Sequence, residues 1–235
     1  MKNYLSLASA FMLLLLLVSC AQGPSGQSFS QGGSTADKNY ITFTLTFNET
    51  GSIASNGYYL IMLNSEAQPI EVTNTGTYTD ALRLYNDPLA GPTYYWLHRI
   101  PSVPGPGYEF VYTARIDQYA QISSDSRTLS FTFSTKDSSV IFNQYIFNRF
   151  TAQALTTDNF SSAMIGRTLD TMGPGPDITH SDLYTVMVNK TTGPENPLPP
   201  NYPDDELYDW ATKGDLPADF PYVNFDIKSF QIYTY

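Results

Sequence analysis

Side chains able to do covalent, acid–base or metal chemistry are few in this sequence, and they are scattered. There is one cysteine, Cys20, and there are two histidines, His98 and His180. No G-x-S-x-G elbow, H-E-x-x-H pair, P-loop or G-x-G-x-x-G turn occurs. His180 sits in the polar run Asp177-Ile178-Thr179-His180-Ser181-Asp182, which could hold a metal but reads equally as a plain loop. The 22 acidic residues could supply the two carboxylates, about 5–10 Å apart, that a glycosidase needs, yet no pair stands out. Asp204, Asp205, Glu206 and Asp209 offer oxygen ligands for calcium. They lack the alternating spacing and glycine of a calcium loop, and a carboxylate-capped helix start over 204–210 explains them as well. The reading is therefore a protein with no catalytic residues, metal or cofactor. A hydrolase working through a carboxylate pair is the alternative.

The aromatic residues are the other chemical resource, with 18 tyrosines and 14 phenylalanines. Flat rings beside polar groups can stack on sugars, and Tyr and Trp are favoured at protein contacts. Tyr94, Trp96 and Tyr108 are the candidate ligand-binding residues. The competing expectation is that these rings simply fill a core.

Positioning such residues falls to strands. Tyr40 to Phe47 alternates strictly, with Ile41, Phe43, Leu45 and Phe47 on one face and threonines between them, as a half-buried strand requires. The continuous apolar run from Gly57 to Leu63 predicts a central strand, and Tyr78 to Tyr85 and Pro69 to Thr73 are weaker strands. Thr93 to Ile100 puts Tyr94, Trp96 and His98 on one face and Tyr95 and Leu97 on the other. Tyr108 to Ile116 reads as a single alternation of Tyr108, Phe110, Tyr112, Ala114 and Ile116. Leu129 to Phe133 is a further strand. Residues 138–143 suit a short helical turn leading into a strand that runs to Leu155. Thr168 to Thr171 and Leu183 to Val188 are short strands. Tyr222 to Tyr235 changes phase between Ile227 and Phe230, which predicts a bulge near Lys228-Ser229. Eight to ten strands with Gly/Pro/Asn turns and little helix give an all-β fold, an antiparallel β-sandwich of Ig-like or jelly-roll-like type.

Cys20 closes an apolar segment. Lys2 gives a positive start, and Leu5 to Val18 is too short to span a bilayer, which needs about 20 residues, but fits a cleaved signal. Leu17-Val18-Ser19-Cys20 resembles the lipobox of bacterial lipoproteins. The resemblance implies cleavage before Cys20, diacylglycerol on its thiol and an acyl chain such as palmitate on its amine. With Ala21 rather than Asp next, it also implies the outer membrane of a two-membrane bacterium. Two or three chains make a lasting tether, because each buried CH₂ contributes about 0.8 kcal/mol. The expected organisation is a signal over 1–19, a lipidated cysteine and Gly/Ser/Gln-rich tether over 20–37, and a sandwich over 38–235. The tether spans roughly 20–25 Å as a random coil. Within the sandwich region, about 191–221 is an acidic, proline-rich excursion.

The net charge is −10, and losing residues 1–19 removes Lys2 and no acid, which makes it −11. That disfavours nucleic acid and direct binding to anionic lipid. Leu129-Ser130-Phe131-Thr132-Phe133, Phe147-Asn148-Arg149-Phe150-Thr151 and Gly166-Arg167-Thr168-Leu169-Asp170 resemble later strands of DOMON-like sandwiches. The likeness implies a sandwich and a family with carbohydrate- and cofactor-binding members, but no haem-ligand pair carries over. The function expected is a non-enzymatic binding or structural lipoprotein of the cell envelope. Its partners are the membrane, through the anchor, and a glycan or protein.

Overall fold

A computed structural model describes residues 39–47, 51–70, 75–101, 108–160, 168–171, 185–195 and 224–235, all within the unit Ala36–Tyr235. Cys20, the signal, the tether, His180 and the acidic run 204–209 lie outside them, as do Glu71–Thr73 and Leu183-Tyr184 of two expected strands and nearly all of the excursion.

The described residues form an all-β sandwich of two antiparallel sheets. The smaller has the order β12-β1-β7-β6, and the larger has β11-β10-β8-β2-β3-β4-β5 with β9 also on β8. The strands are β1 Tyr40–Phe47, β2 Tyr58–Asn64, β3 Asp80–Asp87, β4 Gly91–Pro101, β5 Tyr108–Arg115, β6 Ala120–Ile122, β7 Thr128–Ser134, β8 Arg149–Thr157, β9 Thr168–Thr171, β10 Val186–Asn189, β11 Gly193–Pro194 and β12 Ile227–Thr234. Among the described residues one α-helix occurs, α1, over Ile141–Tyr145. The expected helical turn before the strand is thus present.

β1 shows how pattern becomes packing. Ile41, Phe43, Leu45 and Phe47 are all buried between the sheets, while Thr42 and Thr44 bond sideways to Thr132 and Ser130. β12 and β7 flank it in antiparallel register. The pairing skips Lys228, between Ser229 opposite Thr46 and Ile227 opposite Phe47. That bulge keeps Ile227, Phe230 and Ile232 all facing inward despite the change of phase.

α1 plugs the gap between the sheets with one ring. Phe142 stacks on Phe133 at 5.4 Å and meets Phe43, Phe150 and Trp96 edge-on. Buried Lys190 donates from Nζ to the Ile146 carbonyl at the helix C-terminus, 2.9 Å away. A cation there satisfies an orphan carbonyl and meets the negative end of the helix.

β2 is apolar on both faces, as its continuous run predicts. Tyr59, Ile61 and Leu63 join the inter-sheet core. Leu60 and Met62 join a second cluster on the outer face, with Ile70, Tyr78, Ala81, Leu97, Phe110, Leu155 and Phe160. The expected single alternation along β5 is corrected here. Leu97 pairs with Tyr112 but Trp96 pairs with Ala114, so Thr113 is an extra residue. The bulge leaves Phe110 on the outer face, turns Ala114 and Ile116 into the inter-sheet core, and brings Arg115 opposite Tyr95.

Candidate functional site

The outer face of β2–β5 gathers an arginine and four tyrosines. Arg83 lies between Leu82 and Leu84, whose side chains enter the inter-sheet core, so strand alternation turns it outward. Tyr95 of β4 is its direct cross-strand partner. Tyr58 and Tyr85 are paired across β2 and β3, and Tyr112 joins the group from β5, opposite the outward Leu97. The guanidinium carbon lies 4.7 Å from the Tyr112 ring centroid, 5.2 Å from Tyr95, 5.7 Å from Tyr58 and 5.8 Å from Tyr85. The rings themselves form two couples. Tyr58 stacks on Tyr85 at 4.5 Å, and Tyr95 meets Tyr112 edge-to-face at 5.0 Å.

Arg83 is only 6% exposed. Its Nη1 donates to the Tyr112 hydroxyl, 2.5 Å away, and its buried Nε–H has no acceptor among the described residues. Burial draws the guanidinium below its ordinary pKa, and the surrounding tyrosines oppose that shift. Burial also lifts the Tyr58 phenol, aided by Tyr85 and opposed by Arg83. Two further arginines share this face. Arg115 is held bidentately by Asp117 and lies 5.9 Å from the Tyr95 ring. Arg99 covers the Tyr108 ring at 4.3 Å and donates to the Gly76 carbonyl.

A second polar cluster occupies the opposite face of the same two strands. Asp80, fully buried, accepts from Trp96 Nε1 at 3.0 Å and from His98 Nδ1 at 2.9 Å on one oxygen. Its other oxygen accepts from Thr79 Oγ1 at 2.7 Å. The His98 ring lies 4.4 Å from that of Tyr145. With Nδ1 committed to Asp80, the imidazole keeps Nε2 for an outside contact. An oriented imidazole of this kind is two-thirds of a nucleophilic triad. Among the described residues, no hydroxyl or thiol bonds to it.

The three aromatic residues singled out in the sequence do not meet on one surface. Trp96 is 0% exposed and Tyr94 8%, both in the inter-sheet core. Tyr108 is 46% exposed, at the start of β5 on the outer face. Trp96 has its polar neighbour, Asp80, inside the fold.

The exposed carboxylates are committed locally. Asp87 accepts from the backbone N–H groups of Ala90 and Leu89, Asp117 from Arg115, Asp125 from Ser123 and Arg127, and Asp137 from Ser139. These donors hold all four below the usual carboxylate range. A glycosidase needs an acid pushed the other way. Among the described residues, no three His, Cys, Asp or Glu side chains group as metal ligands, and no helix is long and apolar enough to cross a membrane.

Sequence reasoning passed over Arg83. The available signal was an arginine at an outward position of an otherwise apolar strand, with outward tyrosines on the strands beside it. No family model, curated protein or solved structure matches the chain.

Proposed function

We propose that this is a lipid-anchored, extracytoplasmic binding protein whose sandwich presents a sugar-binding face over β2–β5, without a catalytic role. The observation that carries this reading is the convergence of four tyrosine rings on Arg83. Rings with hydroxyl tips and a guanidinium offer stacking surface together with donors and acceptors, the combination that recognises a sugar. The anchor rests on Leu17-Val18-Ser19-Cys20 and on Cys20 being the one cysteine. The envelope location and, in a two-membrane bacterium, the outer membrane follow from that anchor.

A glycan array probed with the protein from residue 38 onward tests the reading, with Tyr112→Ala as the comparison. Tyr112 is 48% exposed at the mouth of the cluster, so its loss should weaken binding by tenfold or more while the domain still folds, at a melting temperature lowered by the loss of the Arg83 acceptor. An array with no binder would favour a protein partner. Mass spectrometry of the membrane-extracted protein tests the anchor: acyl chains on an N-terminal Cys20 are expected, and an unmodified N-terminus would overturn it.

A further inference from the structure

We infer that the face built around Arg83 is specific for a carboxylate, and that its ligand is an acidic sugar of the uronate type. This rests on the sugar-binding reading and sharpens it. A buried guanidinium is normally matched by a carboxylate. Among the described residues, arginine–carboxylate ion pairs form at Arg115–Asp117, Arg127–Asp125 and Arg149–Glu195, and none involves Arg83. The four rings around it supply the attraction of their π faces and, at Tyr112, one hydroxyl acceptor.

The edge of the group that carries Nε is the informative part. Nη1 is occupied by the Tyr112 hydroxyl, and Nε–H has no acceptor among the described residues. Nε and Nη2 together form the side-on edge of a guanidinium, which takes both oxygens of one carboxylate in two parallel hydrogen bonds. A buried donor left unmatched destabilises a fold, so an anion delivered to that edge relieves a cost already present in the free protein. The chain's charge of −10 argues for one captured carboxylate on a single residue rather than a densely charged polyanion, which would be repelled at longer range.

Titration of the folded domain with glucuronate, its uncharged analogue glucuronamide, and glucose, followed by NMR or calorimetry, tests this. Glucuronate should bind at least tenfold more tightly than the other two. Arg83→Lys keeps the charge but lacks the two-donor edge, and should erase that preference. Should the variant fail to fold, the acid-against-amide comparison on the native chain decides alone. Equal binding of acid and amide, or a folded Arg83→Lys that keeps the preference, overturns carboxylate specificity and leaves the sugar-binding reading standing. If neither these sugars nor any glycan on the array binds, both fall.

Discussion

Arg83 of β3 donates to the hydroxyl of Tyr112, two strands away on β5, just before the extra residue Thr113 shifts the register of β5 against β4. Without that extra residue, Tyr112 and Ala114 would stay in phase, and Arg115 would not come opposite Tyr95. A single bulge thus sets which residue of β5 lies opposite Tyr95.

The same relationship predicts a trade of stability for recognition. Replacing an uncompensated buried ion by an apolar side chain of similar volume is often neutral or stabilising. Arg83→Met should leave the ligand-free domain as stable as before, or about 1 kcal/mol more stable, while removing carboxylate binding. Urea unfolding reads the first effect and titration the second. A loss above about 2 kcal/mol would show that the tyrosine cage exists to hold the cation for structural reasons.

Trp96 should behave as core. Its ring packs against Phe133, Phe142 and Tyr145, and its indole N–H is one of the three donors to buried Asp80. Trp96→Ala opens a cavity and strips that donor from a buried carboxylate, so the cost should be at least about 3–5 kcal/mol. Chemical denaturation should register it as a much earlier midpoint. Trp96→Phe should cost less, because the packing is largely kept.

Tyr78 carries a hydroxyl that the fold does not use. The ring is fully buried and stacks on Phe110 at 5.2 Å, but its oxygen has no hydrogen-bond partner among the described residues. Removing an unmatched buried polar group recovers about 1 kcal/mol or more. Tyr78→Phe should therefore raise the melting temperature, and a lowered one would mean that the hydroxyl has an acceptor after all.

Alkali should unfold this domain, and buried phenols give the sign. Burial lifts both Tyr59 and Tyr78 above the ordinary tyrosine value of 10.0, although the N–H of Ala54 opposes the shift at Tyr59. Above pH 10 the unfolded chain releases these protons while the folded chain keeps them. The folded state then binds more protons, and stability falls as pH rises, by up to about 1.4 kcal/mol per pH unit for each group. Urea midpoints measured from pH 8 to 12 should be level at first and then fall, with a shallower fall in Tyr78→Phe. Equal slopes in the two proteins would exclude Tyr78 as a contributor.

Most of the sandwich was legible because strand faces follow a period of two. β1 and β7 could be read directly, and the phase break between Ile227 and Phe230 placed a bulge that the register shows at Lys228. The bulge in β5 was not legible. Phe110, Tyr112, Ala114 and Ile116 remain apolar at every second position, although the first two face outward and the last two inward, so the pattern carries no trace of the slip. β6 and β11, of three and two residues, are too short to show any period. Arg83 escaped notice for another reason. An arginine at an outward strand position ordinarily stands in water, and its burial depends on tyrosines contributed by three other strands as well as its own. His98 and Trp96 were assigned to one face correctly, but the group that binds them together, Asp80, lies on the neighbouring strand.

The pairing of β1 with both β7 and β12 has a consequence in time. As the chain emerges from the ribosome, Tyr40–Phe47 comes out early, and one of its hydrogen-bonding edges is not filled until Ile227–Thr234 has followed. Phe43, Leu45 and Phe47 therefore have no complete shelter while some 180 residues are added, and the smaller sheet can form as a whole only near the end of synthesis. Pairings so distant in sequence are slow to close. Such a chain has a long interval before its smaller sheet can close. A truncation removing β12 should leave β1 with an open edge and the chain prone to self-association.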